Sequence, residues 1–510
     1  MMLEHAMRRL VRFALANGLI EETDCHVAYN ALLDLMQLEA PLPLDGEEDE
    51  SLPETATPML TVMCDEAVKR GIIEDSATRR DLFSTRIMGV FMPRPSEMIR
   101  QFQAIYAQKG PQAATDWFYA LCRKSDYIRV DAIARNIRFF APSEYGELEI
   151  TINLSKPEKD PRDIAALLTK KSASEYPKCM LCPENEGYAG RLDFPARQTL
   201  RTIPLTLSGK PWHMQYSPYL YYDQHCIVFN DAHIPMKISR GTFERLLEFV
   251  TLFPHYFIGS NADLPIVGGS ILNHDHFQGG CYHFPMEAAP AYAACSHPDA
   301  PDVRCELVEW PLSTLRLHSD KAQSLINLAD KVLTAWRGYS DESVGVLSHS
   351  GDTPHNTITP IARREGEGYV LDLVLRNNRT TPEYPLGIFH PHAELHHIKK
   401  ENIGLIEVMG LFILPGRLSK ELVALEEVLC GKRTLAQIEA DEKLRAHLAW
   451  ITDLSAAYGC ALEANRAREV IRAELTRKCA CVLRDAGVFK LDEAGKAAMT
   501  RFLRSAGFAC

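Results

Sequence analysis

The stretch 273-NHDHFQGG-280 carries two histidines and a glutamine at every second position. In an extended strand alternate side chains share a face, so His274, His276 and Gln278 are predicted to point the same way. Burying three nitrogen-bearing side chains on one face costs free energy unless they bind something or react. The pattern therefore favours chemistry at this strand over a purely structural role.

The residues before this strand favour phosphate chemistry. Gly268 and Gly269 allow a close approach of the backbone, and Ser270 adds a hydroxyl donor, a combination that suits phosphate oxygens. An imidazole is neutral and nucleophilic near pH 7, so it can accept a phosphoryl or nucleotidyl group. The amide of Gln278 can donate to phosphate but has no useful pKa. The chemistry therefore favours group transfer over hydrolysis.

Hydrophobic periodicity predicts strands mixed with helices in the middle of the chain, which indicates α+β or α/β packing. Residues 1–140 and the region from about 418 have helical patterns, including QFQAIYAQKG and PQAATDWFYALCRK on either side of Gly110-Pro111. The predicted strands are LEITINL (148–154), HCIVF (225–229), ADLPIVGGSIL (262–272) and YVLDLVL (369–375), and the predicted helices between them include TFERLLEFVTLF (242–253) and AQSLINLADKVLTAW (322–336).

Composition excludes several classes of protein. The net charge is -11, from 56 basic and 67 acidic residues, which argues against a nucleic-acid binder that works through bulk electrostatics. No run of about 18 uncharged apolar residues predicts a membrane span, and the first residues lack the pattern of a signal peptide. Fourteen cysteines in such a chain predict mostly reduced thiols and a cytoplasmic protein.

Cys179 and Cys182 form a C-x-x-C pair in a loop rich in proline, glycine and asparagine. Two thiolates at this spacing can hold one tetrahedral zinc ion, and histidine is the natural source of the missing ligands. His233 and His274 stand near predicted strand ends and are candidates. A redox pair remains an alternative, because Pro183 suits the first turn of a helix after the second cysteine.

Six blocks of sequence resemble the galactose-1-phosphate uridylyltransferases of the bacterial second class, which belong to the histidine-triad superfamily. The blocks run through most of the chain, and several are long enough to be specific. They are 85-TRIMGVFMPRPSEMIRQF-102, 148-LEITINLSKPEKDPRDIA-165, 218-PYLYYDQHCIVFNDAHIPMKI-238, 259-GSNADLPIVGGSILNHDHFQGG-280, 351-GDTPHNTITPIAR-363 and 385-PLGIFHPHAELHHIKKENIGLIEVMG-410.

The resemblance implies an enzyme of galactose metabolism that exchanges UMP between UDP-glucose and galactose 1-phosphate through a uridylyl-histidine. It makes His276 the nucleophile and Gln278 the glutamine of the H-x-H-x-Q motif. It also implies a structural zinc ion and no organic cofactor. The implied zinc ligands are Cys179, Cys182, His233 and His274.

Further residues are expected to bind substrate. By the resemblance, Asn185 and Asn261 match asparagines that contact the nucleotide, and Gly269 and Ser270 match a turn that contacts phosphate. Compared with first-class enzymes, one more residue separates Ser270 from His274. The candidate cations for the phosphates are Arg376, Arg379, Lys399 and Lys400.

A second histidine-rich segment, 389-FHPHAELHH-397, competes with the first as the source of the nucleophile. It lacks the glutamine and the Gly-Gly-Ser turn, so we expect it to bind a substrate phosphate or a second metal instead. The histidines concerned are His390, His392, His396 and His397. An iron site is not predicted, because 371-LDLVLRNNR-379 has no H-x-H.

The resemblance also implies the organisation of the chain. We expect an α+β fold with two histidine-triad-like α/β halves with antiparallel sheet, at 141–304 and 305–417, flanked by helical regions at 1–140 and 418–510. The expected partners are the two small substrates, with no nucleic acid and no membrane, and a homodimer is left open. The alternatives are a histidine-triad nucleotide hydrolase or phosphorylase, and a non-catalytic zinc-stabilised nucleotide-binding protein.

Overall fold

The computed structural model of the protein describes residues 2–44, 51–155, 174–269 and 271–510. The chain forms two compact units. The first consists of Met1–Arg135, Ser155–Ile234 and His274–His276, and the second of Asn136–Leu154, Pro235–Asn273 and Phe277–Cys510. Both helices and strands are abundant, and the strands include a large antiparallel sheet, so the fold is of the mixed α+β class. None of the described helices is long and apolar enough to cross a membrane.

The first unit begins with helices, as the periodicity predicts. The apolar stripe of the first helix is buried, and its members include Leu3, Met7 and Leu10. Gly110 separates two predicted helices with φ of 89°, a left-handed conformation that glycine adopts without strain. The helices of this unit are Leu3–Ala16, Cys25–Leu35, Thr57–Lys69, Ala77–Gly89, Pro95–Lys109, Pro111–Lys124 and Val130–Ile133.

Three antiparallel strands complete the regular structure described for the first unit: Ile203–Leu207, Lys210–Tyr216 and Cys226–Asn230. The last of these is the strand predicted at 225–229. Its end matters for function, because Asn230 and the residues that follow it lie beside His274.

The second unit contains the large antiparallel sheet. Arg240–Leu252 and Ala322–Gly338 are amphipathic helices that pack on one of its strands, Asn356–Glu365. The first strand in spatial order begins at His276, the last residue of the first unit. The order is His276–Gly280, Phe257–Gly259, Asn356–Glu365, Gly368–Asn377, Thr314–Ser319, Arg304–Val308 and Ala291–Cys295.

A smaller sheet and a set of helices make up the rest of the second unit. Strand Gly146–Asn153 pairs antiparallel with Ile137–Ser143 and parallel with Leu411–Pro415. A short hairpin joins His349–Ser350 to Thr353–Pro354. The remaining helices are Pro285–Ala288, Leu405–Val408, Leu418–Leu429, Leu435–Ala440, Leu448–Tyr458, Ala464–Ala486 and Glu493–Ser505.

A buried ion pair lies inside the large sheet. Arg316 stands directly opposite Asp372 on the neighbouring strand, and its Nε donates to the carboxylate at 2.7 Å. Arg363 donates to the other oxygen of Asp372, also at 2.7 Å. Burial alone would raise the pKa of Asp372, but the charges of Arg363 and Arg316 outweigh it and hold the pKa below its ordinary value.

The prediction of a strand at 262–272 is wrong for the residues that the structure describes there. Residues 262–269 form turns, and a parallel bridge joins Ala262 to Gly268. Pro265 has no backbone N–H to donate, and Ile266 has φ of 74°, which reverses the chain direction. The apolar residues of this segment therefore have the composition of a strand, but the backbone forms turns.

Candidate active site

The first unit brings together the four residues expected to bind zinc. The Sγ atoms of Cys179 and Cys182 are 3.5 Å apart. Nδ1 of His274 lies 3.2 Å from Sγ of Cys179 and 3.8 Å from Sγ of Cys182. Nδ1 of His233 lies 3.1 Å from Sγ of Cys182. All four donor atoms fall within 4.8 Å of one another, so they converge on one point.

These distances suit a zinc ion. A tetrahedron with metal–ligand bonds of about 2.0–2.3 Å has edges of about 3.3–3.8 Å, close to the separations of the four donor atoms. Two sulfurs and two imidazole nitrogens also match the donors that zinc prefers. The two histidine nitrogens that approach the cysteine sulfurs favour a metal site over the redox alternative, because a redox pair needs no such ligands.

Local hydrogen bonds shape the cysteine loop. A single 3-10 turn, Pro183–Asn185, follows Cys182. Asn185 is buried, and its Nδ2 donates to the carbonyl oxygens of Cys179 and Cys182, each at 2.8 Å. Its Oδ1 is buried without a hydrogen bond to any described residue. The Asn185 amide nitrogen thus fixes the loop, and its Oδ1 is an acceptor without a hydrogen bond to a described residue.

The two histidines of the cluster stand near strand ends, as expected: His233 after Cys226–Asn230, and His274 before His276–Gly280. His274 is buried in a bend just before the strand His276–Gly280, and not inside that strand. Its Nε2 lies 2.7 Å from the carbonyl oxygen of Asn230, which can only accept a hydrogen bond. The Nε2 atom therefore carries the proton, and Nδ1 presents its lone pair to the cysteine sulfurs.

His276 is the first residue of its strand and is buried. Its Nδ1 donates to the carbonyl oxygen of His274 at 2.8 Å, so Nε2 carries the lone pair. Burial lowers the pKa of His276 to about 4, which keeps the ring neutral at neutral pH. A neutral imidazole with a fixed tautomer is suited to nucleophilic attack. No sequence pattern signals this contact, because its acceptor is a backbone atom.

Gln278 lies two residues further along the same strand and is half-buried. It stands opposite Gly259 on the neighbouring strand. Because the strand alternates, the side chains of His276 and Gln278 point to the same face. The strand therefore places an amide and an imidazole side by side, as the sequence predicts.

Two other predicted residues meet in the second unit. Asn261 is buried, and its Oδ1 accepts a hydrogen bond from the backbone N–H of Leu405 at 2.9 Å. A Cβ atom on Gly269 would lie 2.7 Å from Nδ2 of Asn261, so only glycine fits there. The structure thus brings Asn261 and Gly269 together, whereas Ser270 lies outside the described residues.

Three of the four predicted cations use their side chains for contacts within the second unit, whereas Lys400 is exposed. Arg376 is fully buried, donates to the carbonyl oxygen of Ile403 at 2.9 Å, and has its pKa lowered to about 10 by burial. Arg379 donates to the carbonyl oxygen of Gly345 at 2.6 Å. Lys399 forms a buried ion pair with Glu407, with 2.9 Å between Nζ and Oε1.

The competing histidine segment has a different structure from the first. His392 directly precedes a 3-10 turn, Ala393–Leu395, and the segment contains no strand. Nδ1 of His397 is 2.7 Å from Nδ1 of His447. Both His390 and His396 have a ring nitrogen directed at the carbonyl oxygen of Pro391, at 3.2 Å and 2.8 Å. The segment 389–397 therefore has no counterpart of the strand His276–Gly280.

A buried imidazole with one nitrogen held and the other carrying a lone pair is the arrangement expected of an enzyme that transfers groups through histidine. Comparison with known proteins shows the family. Two family models match the chain: "Galactose-1-phosphate uridyl transferase, N-terminal domain" over residues 18–235, and "Galactose-1-phosphate uridyl transferase, C-terminal domain" over residues 249–444.

Curated relatives match over almost the whole chain, and all three named here are called galactose-1-phosphate uridylyltransferase. That of Caldanaerobacter subterraneus subsp. tengcongensis is 52% identical over 509 residues, 98% of each chain. That of Clostridium acetobutylicum is 51% identical over 98% of this chain and 99% of that one. That of Bacillus subtilis (strain 168) is 47% identical over 99% of this chain and 98% of that one. The chain belongs to the galactose-1-phosphate uridylyltransferase family.

Among solved structures, the crystal structure of yeast Ap4A phosphorylase Apa2 aligns with a TM-score of 0.30 and 10% sequence identity. The alignment covers 72% of this chain and 93% of that chain.

Proposed function

We propose that the protein is a galactose-1-phosphate uridylyltransferase that uses His276 as its nucleophile, with UDP-glucose and galactose 1-phosphate as substrates. The observation that carries the role of His276 is the hydrogen bond from its Nδ1 to the carbonyl oxygen of His274. This bond directs the lone pair of Nε2 away from the backbone and fixes the ring, as a nucleophile requires. Membership in the family supports the substrates.

The reaction has two displacements at phosphorus. In the first, the lone pair of Nε2 attacks the α-phosphorus of UDP-glucose, a P–N bond forms, and the bond from that phosphorus to the bridging oxygen breaks. Glucose 1-phosphate leaves with the electron pair. In the second, a phosphate oxygen of galactose 1-phosphate attacks, the P–N bond breaks, and UDP-galactose is released. The leaving groups are phosphates, so the site needs positioning and charge stabilisation more than proton transfer.

Gln278 is proposed to hold the transferring phosphate. Its side-chain amide can donate to a non-bridging oxygen, and it shares a strand face with His276. Because an amide has no useful pKa, it offers no base to activate water, and the covalent intermediate waits for the sugar phosphate. The further substrate contacts proposed are Asn185, Asn261, Gly269, Ser270, Arg376, Arg379, Lys399 and Lys400.

Asn185 has the clearest structural support among these contacts. Its Oδ1 is a buried acceptor without a hydrogen bond to a described residue, and such an atom is costly unless a ligand donates to it. Uracil N3–H and the ribose hydroxyls are donors of the right kind. Three of the four cations have weaker support. The side chains of Arg376, Arg379 and Lys399 already bind protein oxygens.

Cys179, Cys182, His233 and His274 would hold a structural zinc ion. With four protein ligands the ion has no open position for substrate, so it would supply stability and not Lewis-acid chemistry. The same His274 that offers Nδ1 to the cluster offers its carbonyl oxygen to His276. The ligand set therefore positions the nucleophile.

The organisation proposed for the chain follows the family resemblance. Two histidine-triad-like halves would occupy residues 141–304 and 305–417, between helical regions at 1–140 and 418–510. The alternation of strands with helices in the middle of the chain supports this division. We further propose that two copies of the chain form a homodimer and that the enzyme works in the cytoplasm.

Trapping the covalent intermediate tests the proposed function. The enzyme is incubated with UDP-glucose labelled in the uracil, without acceptor, and then digested for peptide mapping. We expect an acid-labile, base-stable label on the peptide that contains His276, and its loss when galactose 1-phosphate is added. His283→Asn is a matched control, since His283 is 95% exposed and should not affect labelling. Label on another residue would overturn the assignment. Continued release of free UMP without acceptor, beyond one equivalent per chain, would indicate a hydrolase.

A further inference from the structure

Three side chains in the second unit form a cluster that the transfer reaction does not use. They are His392, in the histidine segment 389–397, Glu394, and Asp485 in the last turn of helix Ala464–Ala486. One donor atom from each lies within 4.8 Å of the other two. His392 and Asp485 are half-buried, and Glu394 is exposed. The cluster thus combines two half-buried groups, the His392 imidazole and the Asp485 carboxylate, with the exposed carboxylate of Glu394.

The tautomer of His392 is set by the backbone. Its Nε2 lies 3.3 Å from the carbonyl oxygen of Ile388, which can only accept a hydrogen bond, so Nε2 carries a proton. In the neutral ring Nδ1 then carries a lone pair. Histidines that bind metals commonly donate their outer nitrogen to a backbone carbonyl in this way. The His392 ring is therefore oriented as a ligand.

The lone pair of His392 faces a negative group. Nδ1 lies 3.7 Å from Oδ2 of Asp485, which is too long for a hydrogen bond. Two ligands on a single first-row metal ion, with bonds of about 2.1 Å, are separated by about 3.0–3.5 Å. A metal cation among the three groups, or a proton on Nδ1, would relieve the repulsion between the lone pair and the two carboxylates. The geometry thus leaves a place that a small cation would fill.

Lys490, five residues after Asp485, uses its hydrogen bonds elsewhere. Nζ of Lys490 donates to the carbonyl oxygens of Arg484, Asp485 and Gly487, at 2.7, 3.0 and 2.7 Å. An ammonium group has three N–H donors, so these bonds use all of them. The Asp485 carboxylate accepts a hydrogen bond from the backbone N–H of His392 at 3.1 Å, which fixes its position but supplies no charge.

We propose that His392, Glu394 and Asp485 form a second metal site, which binds one divalent first-row cation such as Mn²⁺. One imidazole nitrogen and two carboxylates suit such an ion, and water would complete its coordination. The ion would link segment 389–397 to the helix Ala464–Ala486 within the second unit. The proposal does not depend on the transferase reaction, because its test measures binding.

Electron paramagnetic resonance of Mn²⁺ tests this proposal. The full-length protein, without a polyhistidine tag, is first loaded with zinc, so that the thiolate cluster is occupied by the metal it prefers. Mn²⁺ is then titrated, and the loss of the signal of free Mn²⁺ measures binding. We expect one Mn²⁺ per chain. We expect His392→Ala and Asp485→Asn each to weaken binding at least about tenfold.

Further variants keep the test decisive. His349→Ala and Glu367→Gln replace exposed side chains of the same unit outside the cluster, and both should bind Mn²⁺ as the unchanged protein does. Glu394→Gln changes an exposed residue and should fold normally while also weakening Mn²⁺ binding. An unchanged affinity in all three cluster variants, or no saturable binding to the unchanged protein, would overturn the proposal.

Discussion

His274 and His276 are joined by a hydrogen bond in which Nδ1 of His276 donates to the carbonyl oxygen of His274 at 2.8 Å. The same His274 directs its own Nδ1 at the sulfur of Cys179, 3.2 Å away. One residue therefore serves the proposed metal site with its side chain and the proposed nucleophile with its backbone. The two functions should fail together when His274 moves.

Replacing the nucleophile should remove the reaction but leave a site that small imidazoles can enter. We expect His276→Gly to lower kcat by about 10⁴-fold or more, since deletion of a nucleophile from another enzyme costs about 10⁶-fold. Added imidazole should restore part of the rate in a saturable manner. Steady-state assays of UDP-galactose formation measure both effects. Imidazole should not accelerate the His283→Gly enzyme. A His276→Gly enzyme whose rate does not rise with added imidazole would argue against His276 as the nucleophile.

Removing a ligand from the Cys2His2 cluster should destabilise the first unit. We expect Cys182→Ser to lose bound zinc, measured by mass spectrometry of the metal, and to lower the melting temperature by about 5 °C or more. Activity should fall with zinc content, because the orientation of His276 depends on His274. Cys460→Ser alters an exposed thiol and should retain zinc and stability. A fully active, zinc-free Cys182→Ser enzyme would contradict the proposed positioning role.

Asn185 should affect zinc affinity through the cysteine loop. In Asn185→Asp a carboxylate oxygen replaces the amide that donates to the carbonyls of Cys179 and Cys182, so donation becomes repulsion. We expect zinc affinity, measured by competition with a chelator, to fall about 10–100-fold. Asn30→Asp makes the same chemical change on the surface and should leave the affinity unchanged. Equal affinities in the two variants would show that the loop does not need this side chain.

The buried pair of Asp372 and Arg316 predicts how stability depends on pH. The folded-state pKa of Asp372 is below its unfolded value of about 3.9, so its contribution is fully present above that value. The contribution is lost as pH falls through the folded-state pKa. We therefore expect the free energy of unfolding, measured with urea, to decrease below about pH 4.

The variant Asp372→Asn tests the same pair at neutral pH. It would leave the buried Arg316 without its carboxylate partner, while Arg363 keeps Glu287 at 3.5 Å, and should cost about 3–5 kcal/mol. The decrease in stability below pH 4 should also be smaller than in the unchanged protein. Asp352→Asn, at an exposed position, should change neither quantity. A neutral effect of Asp372→Asn at pH 7 would mean that the two arginines find other partners.

The sequence predicts the strand His276–Gly280 because alternation has a direct physical cause, but it also places His274 in the extended segment, whereas His274 lies in a bend before the strand. Side chains of a strand alternate between faces, so the spacing of His276 and Gln278 is informative without any tertiary contact. The cysteine spacing similarly indicates a metal, while the choice of His233 and His274 as its partners came from family resemblance. The long helices were predictable for the same local reason, since their apolar stripes follow the helical period.

Features that depend on tertiary contacts were not predictable. The turn at Ile266 has the composition of a strand, and only the reversed backbone shows otherwise. The contact between His276 and the carbonyl of His274 involves a backbone acceptor, which leaves no trace in the sequence. His392 and Asp485 are 93 residues apart along the chain, and no local pattern connects them.

The backbone of Asp275 has a consequence for how this sequence can drift during evolution. Its N–H donates to the carbonyl of Ile234 at 2.7 Å, and its carbonyl accepts from Asn230 at 2.9 Å, so the peptide between the two histidines is held on both sides. An insertion or deletion there would turn the second imidazole to the opposite face. The backbone contacts of Asp275 therefore constrain the length of this segment.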